Sequence, residues 1–470
     1  MNYATDQLTK KLKTQVSIGS VDLSPFNRFY INDVLLRDQR NDTLLYAGSL
    51  KLKISELFFL KKDITLHYLG IEDAVINTRR TDSLWNYQYI LDAFGSGGGK
   101  TKKQELTLDI KDLELKNIRY RTVDQWRGED QAISITELSM KAKNIDLGKK
   151  LVDISNIRLD GVLFDISQYK GNRPDSLRPK RTEPIPGELQ WNKGQWKISS
   201  KYISIKNSRF SSNVKTVRAP FPYFDGLHLN FSDINGEIND VKFIDDTLSA
   251  DIQLRTKERS GFEVTSLEAA MKMSPVTMAF DKLKIITPYS RIGDSFSMNY
   301  TSFNDDMKNF VTNVLLKGDI KNSNIDIRDI AFFAPALKNK KISLVLNGKV
   351  SGTVSAINAE NINLQYGNNT TIKGDLNITG LPYISKTVYS FKTGSSVSSI
   401  ADIKKIIPGI EKSIGIDLTP LGTVGFNGVV SYSGNDISIN GLLKTPSGSK
   451  KSKITIKKMG SRSQQNNATG

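Results

Sequence analysis

"ISLVLNGKVSGTVS", residues 342–355, places an apolar residue or a glycine at every second position. Ile342, Leu344, Leu346, Gly348, Val350, Gly352 and Val354 fall on one side, with Ser, Asn, Lys and Thr mostly between them. A period of two belongs to a β-strand with one apolar and one wet face. The same device recurs in "TIKGDLNITG" (Ile372, Leu376, Ile378), in Leu248, Ala250, Ile252 and Leu254, and in Leu227, Leu229 and Phe231. "ELTLDI" carries it again in Leu106, Leu108 and Ile110. The pattern predicts a mostly β protein whose strands are each half wet.

A short unit also repeats: "YINDVLLRD" from residue 30, "GIEDAVINT" from 70, "ELKNIRYRT" from 114, "RLDGVLFDI" from 158 and "SIKNSRFSS" from 204, with a looser copy, "DIKNSNIDI", from 319. In each, an apolar residue precedes a polar pair containing Asp, Asn or Gly, and an extended segment resumes. The first five starts lie 40 to 46 residues apart, a spacing typical of repeat architectures. Helices are few. "NYATDQLTKKLK" carries Ala4, Leu8 and Leu12 on one stripe, and "DSLWNYQYILDAF", "RDIAFFAPALKN" and "SSIADIKKIIPGIEK" are further short candidates, the last interrupted by Pro408.

At 470 residues the chain exceeds one ordinary core. No cysteine is present, so thiol nucleophiles, disulfides and cysteine-based zinc sites are excluded. No stretch reaches the roughly 20 apolar residues that span a bilayer. The net charge is +17, but Lys and Arg are mixed with Asp and Glu nearly throughout, and the main basic cluster, Lys444 to Arg462, reads as a solvated tail. No nucleic-acid motif stands beside it, so no nucleic-acid partner is expected.

The sequence supplies no convincing catalyst. "GSGGGKT" at 95–101 ends like a phosphate loop, yet the position of its first glycine holds Phe94, and a strand pattern comes after it where a helix is required. It reads as a linker. In "ITLHYLG" Ile64, Leu66 and Tyr68 take one face of a strand and His67 the other. His228 stands between Leu227 and Leu229 in the same way, so both histidines read as surface residues. Carboxylates in "DSLWNYQYILD" and "IDDTL" read as turn and wet-face residues rather than a glycosidase pair. Trp85, Trp191 and Trp196 read as packing at strand edges. The expectation is a protein that is not an enzyme and takes no cofactor and no metal.

"VSIGSVDLSPFNRFYINDVLLRDQRNDTLLYAGSLKLKIS" resembles the opening of the AsmA-like, TamB-type envelope proteins. "WNYQYILDAF", a low-complexity loop and "LELKNIRYR" resemble their next module, as does the region from "IRDIAFFAPALKN" to "NITGLP". The resemblance covers most of residues 1–440 and carries no active-site residues. It implies an elongated, curled antiparallel repeat sheet forming an open apolar trough, the β-taco, with few short helices. The implied function is a non-enzymatic lipid-transfer conduit, carrying phospholipid acyl chains along the groove between inner and outer membranes in envelope biogenesis. The implied setting is the periplasm, with an inner-membrane anchor missing from this chain and an outer-membrane barrel protein as partner. The basic C-terminal end stands where such proteins continue, so the chain is expected to be a fragment.

On this reading the residues divide into an N-terminal amphipathic helix and lead-in (1–20), a first AsmA-like β module (21–94), a Gly/Lys-rich linker (95–104), a repeated β-sheet region (105–300), a continuing β-sheet region (301–445) and a basic disordered tail (446–470). The groove is expected to be lined by Leu106, Leu108, Ile110, Leu227, Leu229, Phe231, Ile252 and Leu254, and by Ile342, Leu344, Leu346, Val350, Ile372, Leu376 and Ile378. Two other readings stand beside it. One is an outer-membrane protein assembly factor that pairs exposed strand edges with clients or a barrel partner. The other is a β-solenoid enzyme acting on polysaccharide, which needs rungs of about 20 to 25 residues with stacked carboxylates, and the sequence shows neither.

Overall fold

The computed structural model describes residues 2–24, 28–54, 64–95, 106–178, 187–215, 218–383, 386–406, 408–433 and 436–457. The protein is mostly β: of the described residues 64% are strand and 12% helix. It divides into two compact units, Met1–Lys272 and Met273–Gly470.

The first unit holds β1 (Val16–Ser17), β2 (Ser20–Ser24), β3 (Arg28–Arg37), β4 (Thr43–Ile54), β5 (Ile64–Arg80), β6 (Leu106–Asp124), β7 (Glu129–Asp146), β8 (Leu151–Gln168), β9 (Lys197–Val214), β10 (His228–Ile244) and β11 (Thr247–Glu258). Strand β12 (Glu263–Ser274) crosses the boundary. The second unit holds β13 (Thr277–Ile286), β14 (Arg291–Asn299), β15 (Leu315–Asp326), β16 (Ser343–Thr353), β17 (Ala356–Tyr366), β18 (Thr370–Thr379), β19 (Val388–Ser399), β20 (Thr423–Ser433), β21 (Asp436–Thr445) and β22 (Gly448–Lys457). From β3 to β11, and again from β13 to β22, each strand pairs with its successor in sequence.

Pairing is antiparallel at every described ladder but two. β5–β6 and β8–β9 are parallel. Parallel neighbours require a crossover, and the chain supplies one each time, through residues 81–105 and 169–196. Within each unit the sheet is open and uncurled. The curl and trough expected from the resemblance are therefore corrected to an open sheet. Its ladders lay successive strands side by side, and none among the described residues draws an early strand of a unit back toward a late one.

The repeated sequence unit has a backbone meaning. Asp33, Asp73, Asn117, Gly161, Asn207 and Asn322, the second polar residue of each copy, all adopt positive φ, between 45° and 62°. Only Gly, Asn and Asp visit this left-handed region at modest cost. Each residue there drops out of the pairing and slips the alternation by one. In β6, Leu113 and Leu115 precede Asn117, and Ile118 and Tyr120 come after it, all on one face. In β5, Leu69 and Ile71 precede Asp73, and Ala74 and Ile76 come after. Side chains tie successive copies together, Asn117 Nδ2 donating to Asp73 Oδ1 at 2.9 Å and Asn207 Nδ2 to Asp160 Oδ1 at 2.9 Å. Five of these copies lie on strands β3, β5, β6, β8 and β9, which all run in one direction. The spacing of 40 to 46 residues is the length of chain between one such strand and the next.

The helices behave nearly as expected. α1 spans Asn2–Leu12, and α2 spans Gln88–Gly95, shorter than the candidate at 82–94. Residues 327–339 form a short helix, Ile327–Ile330, and a 3₁₀ turn at Pro335–Leu337. The third candidate splits into Ile400–Ile406 and Ile410–Ile414 around Pro408, which cannot continue a helix. The Gly/Lys-rich linker lies outside the described residues, apart from Gly95 at the end of α2. The next described element is the strand β6. The basic end is corrected too: residues 448–457 form β22 rather than disordered chain, its backbone pairing with β21 along the whole length. Alternation of Ile with Lys, Ser and Thr there outweighs the charge.

These φ values carry a testable cost. Asn117→Val should lower the unfolding free energy by about 1–2 kcal/mol, because a β-branched residue is strained at positive φ. Asn117→Gly should cost less than half as much, and urea unfolding of both variants reads the difference.

Candidate functional site

Residues directly opposite one another across a ladder point to the same face, so the register reads out the faces row by row. In the first unit one row runs Ile31, Leu50, Ile71, Leu115, Leu138, Leu159, Ile205, Gly236, Leu254 across β3 to β11. The next runs Phe29, Leu52, Leu69, Leu113, Met140, Ile157, Ile203, Ile238, Ile252. Beyond the left-handed residues lies a third: Leu36, Leu45, Ile76, Tyr120, Ile133, Phe164, Phe210, Phe231. Phe164 and Phe210 meet edge to face at 5.8 Å. The opposite face is charged, with Glu72, Lys116, Glu137, Asp160 and Lys206 in register.

The second unit repeats the division. Phe280, Phe296, Gly318, Val350, Ala359, Leu376, Phe391, Val430, Ile439 and Ile454 align across β13 to β22. Beside them lie Met278, Met298, Leu316, Gly352, Ile357, Ile378, Tyr389, Tyr432, Ile437 and Ile456, with Tyr389 and Tyr432 stacked at 5.3 Å. Between the two rows, on the other face, run Ser297, Lys317, Ser351, Asn358, Asn377, Ser390, Ser431 and Ser438.

Most of these apolar side chains are only half-buried. In the first unit a buried cluster forms at the level of the left-handed residues, where Ala47, Ala74 and Ile118 pack with Val34, Leu50, Ile71, Leu115 and Ile135. Elsewhere Ile252 and Ala359 are buried members of rows whose neighbours remain partly exposed.

The expected lining residues fall into these rows unevenly. Leu344, Leu346, Val350, Ile372, Leu376 and Ile378 share one face of the second unit, with Leu346 opposite Leu364 and Leu364 opposite Ile372. Phe231, Ile252 and Leu254 share one face of the first unit, and Leu229, opposite Ser212, joins Phe231. Leu227 precedes β10 and Ile342 precedes β16, so both stand at the lip of their strands. The backbones of Leu106 and Leu108 pair with Ile64 and Leu66 at the start of β6, and Ile110 lies at a register shift just after them. Reasoning from strict alternation missed Ile203, Ile205, Ala359, Phe391 and Val430. Apolar residues at i and i+2, then at i+5 and i+7 around an Asp, Asn or Gly, are the signal that finds the rows of β5, β6 and β8.

The strand ends of the first unit carry the buried charge. Arg79 donates to Asp38 at 3.0 Å, and Asn86 Nδ2 joins it at 3.1 Å. Arg80 holds Asp124 with two bonds, 2.8 and 2.7 Å, and lies 4.5 Å over the Trp85 ring. Arg218 grips Asp225 at 2.6 and 3.0 Å. Burial works to raise the Asp225 carboxyl, but Arg218 and the N–H groups of Phe221 and Leu227 outweigh it and hold it at about 2. Asp38 and Asp124 are lowered in the same way, against burial, Asp38 by Asn86, backbone N–H groups and Arg79, Asp124 by Arg80 and the Arg127 N–H.

His228 corrects the sequence reading: it is buried, 5% exposed, because the loop before β10 folds over it, with Arg259 donating to the carbonyls of Phe221, Tyr223 and His228. Tyr68 is corrected as well. A register shift between Leu66 and Tyr68 turns it to the charged face, where it donates to Glu114 at 2.8 Å. Burial and Glu114 together push its phenol up to about 12. The carboxylates considered for catalysis serve turns instead, Asp246 accepting from the N–H groups of Gln190, Trp191 and Asn192. Among the described residues no group of three or more His, Cys, Asp or Glu is placed to hold a metal. No helix among them is long and apolar enough to cross a membrane. No protein-family model matches the chain, and no curated protein matches it.

The lowered carboxyls fix a pH dependence. A carboxyl whose folded pKa lies below its unfolded value stabilises the fold above the unfolded value, and that stability is lost as pH falls through the folded one. For Asp225 the window runs from the ordinary 3.8 down to about 2. Urea midpoints of the whole chain should fall over this window, and Asp225→Asn should flatten that fall while lowering the midpoint at neutral pH, where Arg218 loses its partner.

Proposed function

We propose that this chain is a non-enzymatic lipid carrier that holds phospholipid acyl chains against the apolar face of its sheet. The observation that carries the reading is that face: rows made mostly of Leu, Ile, Val, Phe and Met, interspersed with Gly, Ala and Tyr, across nine strands of one unit and ten of the other, most of them partly exposed. Exposed apolar surface on this scale marks a surface that something covers. An acyl chain suits it, gaining about 0.8 kcal/mol for each CH₂ withdrawn from water. Apart from the hydroxyls of Tyr120, Tyr389 and Tyr432 the rows carry no polar side chain, so a chain laid across them meets few directional contacts and is free to slide. The charged opposite face stays in solvent.

An envelope setting belongs to the same proposal. It includes the periplasm, an inner-membrane anchor outside this chain and a barrel partner in the outer membrane, as the family resemblance implies. The second reading, assembly by strand-edge pairing, draws on β22, which pairs only with β21 among the described residues. Its Lys450, Lys451 and Lys453 weigh against it, since lysines on an edge oppose further pairing.

Lipid extraction and mass spectrometry of the chain, purified from a bacterial host without detergent, test the proposal. Phospholipid should accompany the parent and drop at least several-fold in a Val350→Asp/Leu376→Asp variant of unchanged circular dichroism. A folded, monodisperse parent carrying no lipid would sink the reading.

A further inference from the structure

Where β4, β5 and β6 meet their connecting turns, the first unit opens a cleft of about 640 Å³. Its lining includes four arginines, Arg40, Arg79, Arg80 and Arg121, with the hydroxyls of Thr43 and Thr78. The acids of the neighbourhood are already matched. Asp38 takes Arg79, Asn86 and the backbone N–H groups of Arg40 and Asp42. Asp42 takes Arg79 at 2.6 Å, and Asp124 takes both bonds from Arg80. Two guanidinium groups remain. Among the described residues, neither Arg40 nor Arg121 makes an ion pair or a hydrogen bond through its side chain, and both are exposed at the cleft.

We infer that this cleft is a recognition site for a phosphate group. Guanidinium is a planar fork of N–H donors that meets phosphate oxygens two at a time and stays charged at any working pH. Arg79 and Arg80 are held by Asp38, Asp42 and Asp124, which offset their charge, so the two free forks carry the anion-binding charge of the cleft, and its volume is that of a small-molecule site. The cleft lies at the ends of β5 and β6, past their last apolar pair. In β5 and β6 the apolar pair Ile76 and Tyr120 is succeeded on the same face by Thr78 and Thr122, whose hydroxyls meet at 2.7 Å, and then by Arg80 and Asp124. Asn77, Arg79, Arg121 and Val123 alternate with these positions and stand on the other face, so the cleft takes residues of both faces at the strand ends, beyond the last apolar pair. Resting on the lipid-carrier reading, the phosphate is that of a headgroup whose chains lie on the rows; a soluble phosphate compound is the other source of the same chemistry.

Isothermal calorimetry on the full chain separates them, using dihexanoyl phosphatidic acid, dihexanoylglycerol and inorganic phosphate as probes. The variant is Arg40→Gln/Arg121→Gln, checked for an unchanged thermal midpoint. Phosphatidic acid should bind the parent and bind the variant about tenfold or more weakly, the loss expected for charged hydrogen bonds. Dihexanoylglycerol should bind both alike. Inorganic phosphate binding as tightly as phosphatidic acid, and lost in the variant, supports the phosphate site with a soluble source. Equal affinity of parent and variant for phosphatidic acid, or no binding of either phosphate probe, overturns the site. The carrier reading fails separately, when dihexanoylglycerol does not bind while the phosphate probes do.

Discussion

A single left-handed residue per repeat is the constraint on which the amphipathic sheet depends. The apolar side chains before and after it are out of phase by one position, so an uninterrupted strand would send half of them to the charged face. Dropping Asp33, Asp73, Asn117, Gly161 or Asn207 out of the pairing restores the phase. The chemistry of the position is set by the same constraint, since only Gly, Asn and Asp take this backbone cheaply. The carboxylate and amide side chains then bond to their counterparts on neighbouring strands, which keeps the slip at one level from strand to strand.

With phase restored, most apolar residues of the repeat strands fall on one side, and the consequences run through the rest of the molecule. Small residues at the level of the slip, Ala47 and Ala74, permit the closest packing, and the buried cluster sits there. Away from it most of the face is only half-buried. Rigidity comes from the ladders and from charged clasps at the strand ends, where Asp38, Asp124 and Asp225 each meet an arginine. A protein organised this way leaves much of its apolar face partly exposed and gathers its charged clasps at the margin.

The strand-rich fold was legible because alternation is local: Leu344, Leu346 and Val350 state it within a few residues. The repeat was legible as a spacing, though its meaning as a phase slip was not, because a positive φ leaves no mark beyond the choice of Asp, Asn or Gly. The two parallel pairings were hidden for a different reason. Register between β5 and β6 is set by a crossover whose length, not its composition, allows the chain to return in the same direction. The arginine cleft joins positions 40, 79, 80 and 121, which only the stacking of strand ends brings together. His228 read as a surface residue because burial by a loop arriving from residues 218–227 has no period.

The central claim is that one face of the sheet, and not the other, meets lipid. A photo-crosslinking amino acid placed at Phe391, on the apolar row, or at the adjacent Ser390, on the polar row, tests it in two otherwise matched proteins. Irradiation with phospholipid vesicles, then mass spectrometry of the intact chain, should give a phospholipid adduct from position 391 and none above background from 390. Equal labelling at the two positions, or labelling from 390 alone, would contradict the account.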